Sequence, residues 1–401
     1  MQRLTSLFGL FVMVGVAWIL SSNRRKIDKR IVIGGLLLQF AFALIVLRTT
    51  VGESVFQFAG VLFSNILDCT DAGSRFVFGE EFGKNSPAPL FAFRVLPVII
   101  FFSALMSVLF HFGIIQFVVR YLGWLMQRTL GTSGAESLAA AANIFVGQTE
   151  APFVVKPYLQ RMTNSELMSV MVGGFATIAG SVMAMYVGFG IDAGHLLTAS
   201  VISAPAALLI AKVMQPETDT PETAGFTQLQ LPRESTNVFD AMTTGAADGL
   251  KLALNVGAML IAFLAMIELI NLGLQSIDES LNFSVIVGHL FAPFAWCMGI
   301  EQADTQQVGQ LLGKKVVVNE LLAYLDLKTM ITSNSISPRS QIIATYALCG
   351  FANFGSIGIQ LGGIGAIAPD RKTDLARLGF RAMIGGTLAG FMTACIAGIL
   401  I

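Results

Sequence analysis

The sequence predicts an all-α polytopic membrane protein: about eight transmembrane helices, with two opposed re-entrant helical hairpins and two broken helices in an inverted repeat. Three observations predict it. First, of 401 residues 54% are hydrophobic and only 12% charged, with mean hydropathy +0.72; a soluble domain carries about 25% charged residues. Second, apolar runs long enough to cross a bilayer recur along the chain. Third, two stretches break the apolar pattern in matching ways. Gly147-Gln148-Thr149-Glu150 precedes Gly174-Phe175-Ala176-Thr177 and Ser181, and Asn319-Glu320 precedes Gly350-Phe351-Ala352-Asn353 and Ser356. A carboxylate at the bilayer centre costs at least ~3 kcal/mol, so such groups mark a pathway or a site. Two corresponding interrupted segments, one per half, point to a transporter's central binding site.

A spanning helix needs about 20 apolar residues. The runs that meet this are 4–21, 31–49, 95–118, 165–190, 194–213, 247–273, 339–367 and 376–400. The first is read as a retained span and not a cleaved signal, because one Arg precedes it and no small-x-small site lies before Asn23. Arg24, Arg25, Lys26, Lys29 and Arg30 follow the first span, and Arg120 and Arg128 follow the third. Lys156 and Arg161 precede the fourth, and Arg371, Lys372, Arg377 and Arg381 lie between the last two. All four clusters fall on the cytoplasmic side if both termini are outside.

Three stretches stand apart. Residues 51–90, with Glu53, Asp68, Asp71, Glu80 and Glu81, read as an interfacial helix plus loop. Residues 215–240 open with Pro216-Glu217-Thr218-Asp219-Thr220-Pro221-Glu222 and read as a polar cytoplasmic linker without fixed structure. Residues 277–308 read as interfacial, with Trp296 as a headgroup anchor. The segments 135–162 and 305–330 are too polar and short to span twice. Given the orientation, the first enters and leaves from the cytoplasm and the second from outside. Non-helical backbone at that depth is tolerated only where it is buried or lines a cavity, so the two tips meet near the midplane. The expected units are N-terminal scaffold spans (1–134), a first transport repeat (135–213), a cytoplasmic linker (214–246), a long scaffold span with interfacial segments (247–308) and a second transport repeat (309–401).

At the first tip Gly147 permits a tight turn. Gln148 offers donor and acceptor, Thr149 a hydroxyl and Glu150 acceptors. At the second, Asn319 and Glu320 offer a similar set, with Lys315 just over a turn earlier. In the broken helices, Thr177 and Ser181 face Asn353 and Ser356 by repeat analogy. Rich in neutral hydrogen-bonders and poor in cations, the inventory favours a neutral polyhydroxylated or amide-bearing substrate over a phosphorylated one, which would want Arg. Phe351 can give a stacking or edge contact to a flat ring. Two pairings remain open: Glu150 with Lys156 and Glu320 with Lys315. Cys69, Cys297, Cys349 and Cys395 lack metal-ligand spacing, and the zero formal net charge gives no sign of nucleic-acid binding. No His lies near Ser or Cys in the polar segments, which argues against an intramembrane enzyme. A gated channel or sensor is a further class that midplane polar groups allow.

These residues resemble the concentrative nucleoside transporter family. Gly313-Lys314-Lys315-Val316-Val317-Val318-Asn319-Glu320 followed by Ala323-Tyr324 is similar to that family's G-x-K-x3-N-E-F-x-A-Y signature. Gly147-Gln148-Thr149-Glu150-Ala151-Pro152 and Gly350-Phe351-Ala352-Asn353 resemble family motifs too, and the similarity covers nearly the whole chain. Leu321 departs from the usual Phe and leaves the polar set intact. The resemblance implies ion-coupled symport of nucleosides into the cell by alternating access, in the plasma membrane, with a bacterial inner membrane expected. It also implies a homotrimer of independently transporting protomers. It implies nucleobase contacts at Gln148, Thr149 and Glu150 with Val182 on the ring, and ribose contacts at Glu320, Asn353 and Ser356. Sodium is expected at Asn143, Val146, Thr177 and Ile178, partly through carbonyls; protons are the alternative coupling ion.

Overall fold

The computed structural model describes residues 2–79, 93, 96–225, 235–279 and 281–401. Glu80 and Glu81, the first residue of the expected third span and residues 226–234 of the expected linker lie outside the described residues. The described residues form helices joined by short connections, with no strand among them.

Helix α1 (Gln2–Ile19) and α2 (Lys29–Arg48) follow the first two expected spans. Asp28 starts α2 by accepting from the Arg30 amide at 2.8 Å, satisfying one of the N–H groups that a helix start leaves free. In the stretch 51–90, expected to hold a helix and a loop, the helix is α3 (Thr50–Phe78), 29 residues behind a Thr49 cap, and residues 80–90 lie outside the described residues. The third expected span stops early: α4 (Leu96–His111) meets α5 (Ile114–Leu130) at a 76° bend. Gly113, at φ +79°, makes that corner.

The first hairpin is α6 (Gly134–Ala142), an irregular tip, and the short helices α7 (Ala151–Val154) and α8 (Lys156–Leu159). Next come α9 (Asn164–Ala176), an extended break at 177–179, α10 (Gly180–Gly188) and α11 (Ala193–Met214). Both α6 and α9 begin with capping boxes, Ser133 with Glu136 and Thr163 with Glu166. Beneath them Lys212 of α11, 4% exposed, pairs with Glu136 at 2.8 Å and Glu217 at 3.1 Å. Thr223 accepts from the Gly134 amide through its carbonyl and from the Ala135 amide through Oγ1. Residues 215–225 are thus tied to the helices. The linker's polar composition hid this, because its partners are helix ends remote in sequence.

After the linker, α12 (Val238–Gln275) contains the expected span 247–273 within 38 residues and packs along α4. Residues 277–308 contain the apolar helix α13 (Phe283–Cys297), which lies against α14 (Thr305–Val317). The second hairpin is α14, a turn at Val318–Asn319, and α15 (Glu320–Thr332), within two residues of the expected 305–330. Lys314 and Asp326 pair across its arms. The expected span 339–367 is divided into α16 (Pro338–Leu348) and α17 (Phe354–Ile367), and α18 (Lys372–Leu400) ends the fold.

Among the described residues five helical segments are long and apolar enough to cross a membrane, or six if the bent α4–α5 pair is one span. Segment 164–188, broken at 177–179, is buried along its apolar length, while most residues of α1 and α2 are at least partly exposed. The first interrupted helix therefore lies in the interior, where its unpaired backbone groups need protein partners, whereas of the second the part after the break, α17, buries only one face.

Candidate functional site

The two breaks touch. Gly350 has φ +124°, and a Cβ there would lie 2.7 Å from the Phe175 carbonyl oxygen. No other residue type fits this approach without moving backbone. The break leaves the last carbonyls of α16 without helical partners. Lys315, fully buried, takes two of them: its Nζ donates to Ala347 O at 2.9 Å and Cys349 O at 3.5 Å. This resolves one open pairing, since Lys315 serves the break and not Glu320.

Glu320 begins α15 at the second tip and is 6% exposed. Tyr186 of α10 donates to its Oε1 at 2.9 Å, and Asn353 donates to its Oε2 at 3.0 Å. Asn353 also caps α17, its Oδ1 accepting from the Ser356 amide at 2.8 Å. Ser356 Oγ accepts from Gln148 Nε2 at 3.2 Å, and Gln148 Oε1 accepts from Gln360 Nε2 at 3.1 Å. One polar string therefore runs Gln360–Gln148–Ser356–Asn353–Glu320–Tyr186, drawn from both hairpins and both broken helices. Every donor to the carboxylate is neutral, and the carboxylate has lone pairs left for further donors.

The other expected residues surround this string. Val182 is buried on α10 and Phe351 is half-buried at the second break. Thr149 packs against Gly363 of α17. Glu150 is exposed, with its carboxylate beside Gly147. Gly147 has no positive φ, so no left-handed turn calls for glycine there; a Cβ would lie 2.2 Å from Oε2 of the flexible Glu150 side chain. Among the described residues Glu150 makes no ion pair with Lys156, whose ammonium lies over the Phe153 ring. Thr177 and Ser181 do not bond Asn353 or Ser356; Thr177 Oγ1 donates back to Gly173 O at 2.9 Å.

Asn143 and Thr177 flank a second feature. The Gly180 amide donates to Phe145 O at 3.1 Å, joining the first tip to the break. Asn143, Val146, Thr177 and Ile178 are all buried there. Asn143 Nδ2 donates to Ala139 O at 3.1 Å, but its buried Oδ1 has no hydrogen-bond partner among the described residues. An idle buried oxygen beside extended backbone is what a hard, weakly charged cation uses.

Tyr186 and Gln360 belong to the site without having been expected in it. Tyr186 sits in an apolar run and resembles a core aromatic; only the approach of Glu320 gives its hydroxyl a role. Its ring lies 4.3 Å from that of Tyr324, whose hydroxyl donates to Thr345 O.

Comparison with known proteins bears on this geometry. Residues 8–81 and 195–398 match the N- and C-terminal families described as Na+ dependent nucleoside transporter, and residues 92–193 match one described as nucleoside recognition. The chain belongs to the concentrative nucleoside transporter family. Among relatives of this family, solute carrier family 28 member 3 of Eptatretus stoutii is 46% identical over 98% of this chain. The chain spans 60% of that protein's length. It covers 98% of an uncharacterized transporter of Haemophilus influenzae, which is 45% identical. The solved structure of CNTnw in an inward-facing, substrate-bound state superposes with TM-score 0.93 at 41% identity, covering 100% of this chain and 98% of that one. The relatives named for an activity are transporters and not enzymes.

Proposed function

We propose that this chain is a sodium-coupled symporter that moves nucleosides into the cell by alternating access. The observation that carries this is Glu320, a buried carboxylate held only by neutral donors at the meeting of two hairpins and two broken helices. A dry carboxylate with spare lone pairs suits the hydroxyls of a ribose, and a site built for a hydroxyl can reject the analogue lacking it by ~10⁴-fold. Gln148, Thr149, Glu150 and Val182 then face the base, with Phe351 beside it, and Asn353 and Ser356 complete the sugar side. Sodium is assigned to Asn143, Val146, Thr177 and Ile178, supported by the idle Asn143 Oδ1. One charge moving through ~100 mV yields about 2.3 kcal/mol. A tenfold ion gradient adds about 1.4 kcal/mol, and together they would concentrate a neutral solute roughly 500-fold.

The finer architecture belongs to the same proposal. It comprises about eight spans, hairpins re-entering from opposite faces as an inverted repeat, both termini outside, and residence in a plasma membrane, bacterial inner membrane by preference. The transport repeats are 135–213 and 309–401, carried against scaffold units 1–134 and 247–308. The protomers form a homotrimer. The apolar Leu254, Ile261 and Leu269 exposed on α12 suit lipid or a neighbouring protomer. Native mass spectrometry in mild detergents is expected to give the trimer mass; a monomer alone across detergents counts against it.

Uptake of labelled uridine into proteoliposomes tests the transport reading. Accumulation above equilibrium is expected with an inward sodium gradient. Asn143→Ala is expected to weaken sodium activation more than it weakens nucleoside affinity at saturating sodium. Accumulation driven by a pH gradient alone would replace sodium by protons, and equilibration without accumulation would make the protein a channel.

A further inference from the structure

We propose that Gln360 is a positioning residue that sets which base edge the site accepts, by fixing the side-chain amide of Gln148. This rests on the reading above that Gln148 faces the nucleobase. Gln360 lies on α17 one turn after Ser356 and is fully buried. Its Nε2 carries two hydrogens and spends both: one on Gln148 Oε1 at 3.1 Å, the other on the Met171 carbonyl of α9, also at 3.1 Å.

The Met171 carbonyl decides the rest. A backbone carbonyl can only accept, so Gln360 must turn Nε2, not Oε1, toward it. Gln148 must then present Oε1 to Gln360 and Nε2 to Ser356. Ser356 cannot choose by itself, because a hydroxyl both donates and accepts. Orientation thus passes from backbone to Gln360 to Gln148. Gly174 makes room for the pair: a Cβ there would lie 2.8 Å from Gln360 Nε2 and 2.9 Å from Gln148 Cβ. Gln360 Oε1 is buried with no partner among the described residues. An amide with an idle acceptor fills a core less favourably than an apolar side chain of its shape, so the bonds from Nε2 are what the amide contributes.

The consequence is selectivity. With its amide fixed, Gln148 keeps one N–H and one lone pair in set places. Uracil and cytosine present opposite donor–acceptor patterns at ring positions 3 and 4. A Gln148 free to turn serves either; a fixed one does not.

The test measures uridine and cytidine affinities at saturating sodium for wild type, Gln360→Leu, Gln148→Ala and the double variant. Gln360→Met, unbranched and closer in shape, guards against misfolding of the leucine variant. The uridine-to-cytidine affinity ratio is expected to shift by about three- to tenfold when Gln360 is replaced. In the Gln148→Ala background the same replacement is expected to leave the ratio where Gln148→Ala put it. Equal weakening of both nucleosides, or an undiminished shift in that background, overturns the proposal and makes Gln360 structural. If Gln148→Ala itself leaves the ratio unmoved, the premise fails instead, because Gln148 does not read the base.

Discussion

Glu320→Ala is expected to weaken ribonucleoside binding about ten- to a hundredfold, since a hydrogen bond to a charged group contributes about 1.5–3 kcal/mol. The geometry adds a second cost. Tyr186 and Asn353 both donate to this carboxylate, and truncation leaves two buried donors without an acceptor. Some loss of thermal stability should accompany the loss of affinity. The two effects separate by substrate: stability does not depend on which nucleoside is offered, whereas the sugar contact does. Uridine and its 2′- and 3′-deoxy analogues, each measured with wild type and Glu320→Ala, form the required double cycle. The penalty should be largest for uridine and smallest for the analogue lacking the contacted hydroxyl. Glu320→Gln, which keeps shape and one acceptor, should fall between. Equal weakening of all three would mean that Glu320 does not read the sugar.

Gly350→Ala is expected to be the most damaging small substitution in the second broken helix. The backbone at φ +124° disfavours any side chain by about 1–3 kcal/mol. The added methyl would also stand 2.9 Å from the Ala176 carbonyl carbon and 2.7 Å from Phe175 O. Those atoms lie at the edge of the first break, so relief of the clash must displace the first broken helix and Thr177 with it. A marked fall in detergent-solubilised melting temperature and loss of uptake should follow together. Gly358, inside α17, supplies the control: a Cβ there meets nothing within 4 Å. Gly358→Ala should be neutral or slightly stabilising, because glycine inside a helix costs about 0.5–1 kcal/mol relative to alanine. An unchanged melting temperature for Gly350→Ala would show that the two breaks do not bear on each other.

What could be read from the sequence was what local chemistry announces. The turn before Glu320, the interruptions after Ala176 and Leu348, and the arms of the second hairpin all follow from polar residues set in apolar runs. Asn319 and Asn353 were picked out as polar and prove also to be helix caps, the role their side chains fill most readily. Partnerships across the chain were not readable. Lys315 lies five residues before Glu320, yet bonds carbonyls more than thirty residues away, because an ammonium is best placed where a broken helix leaves carbonyls unused. Gln360 hides in a glycine-rich apolar helix and Lys212 at the end of a span. Each has a role only once packing brings Gln148 or Glu136 beside it. The end of the third span was missed for a related reason: hydropathy averages over a bend such as that at Gly113 and cannot see that the chain turns.

The polar string has a bearing on how such a molecule could be assembled from parts. Three of its links join the halves of the chain: Gln148 with Ser356, Gln148 with Gln360, and Tyr186 with Glu320. A fragment ending at the linker would carry a glutamine and a tyrosine with no carboxylate between them. The complementary fragment would carry the carboxylate and lack the tyrosine that steadies it. Neither is half a binding site in the sense of holding half a ligand. The carboxylate and its tyrosine meet only where the two halves of the chain fold against each other.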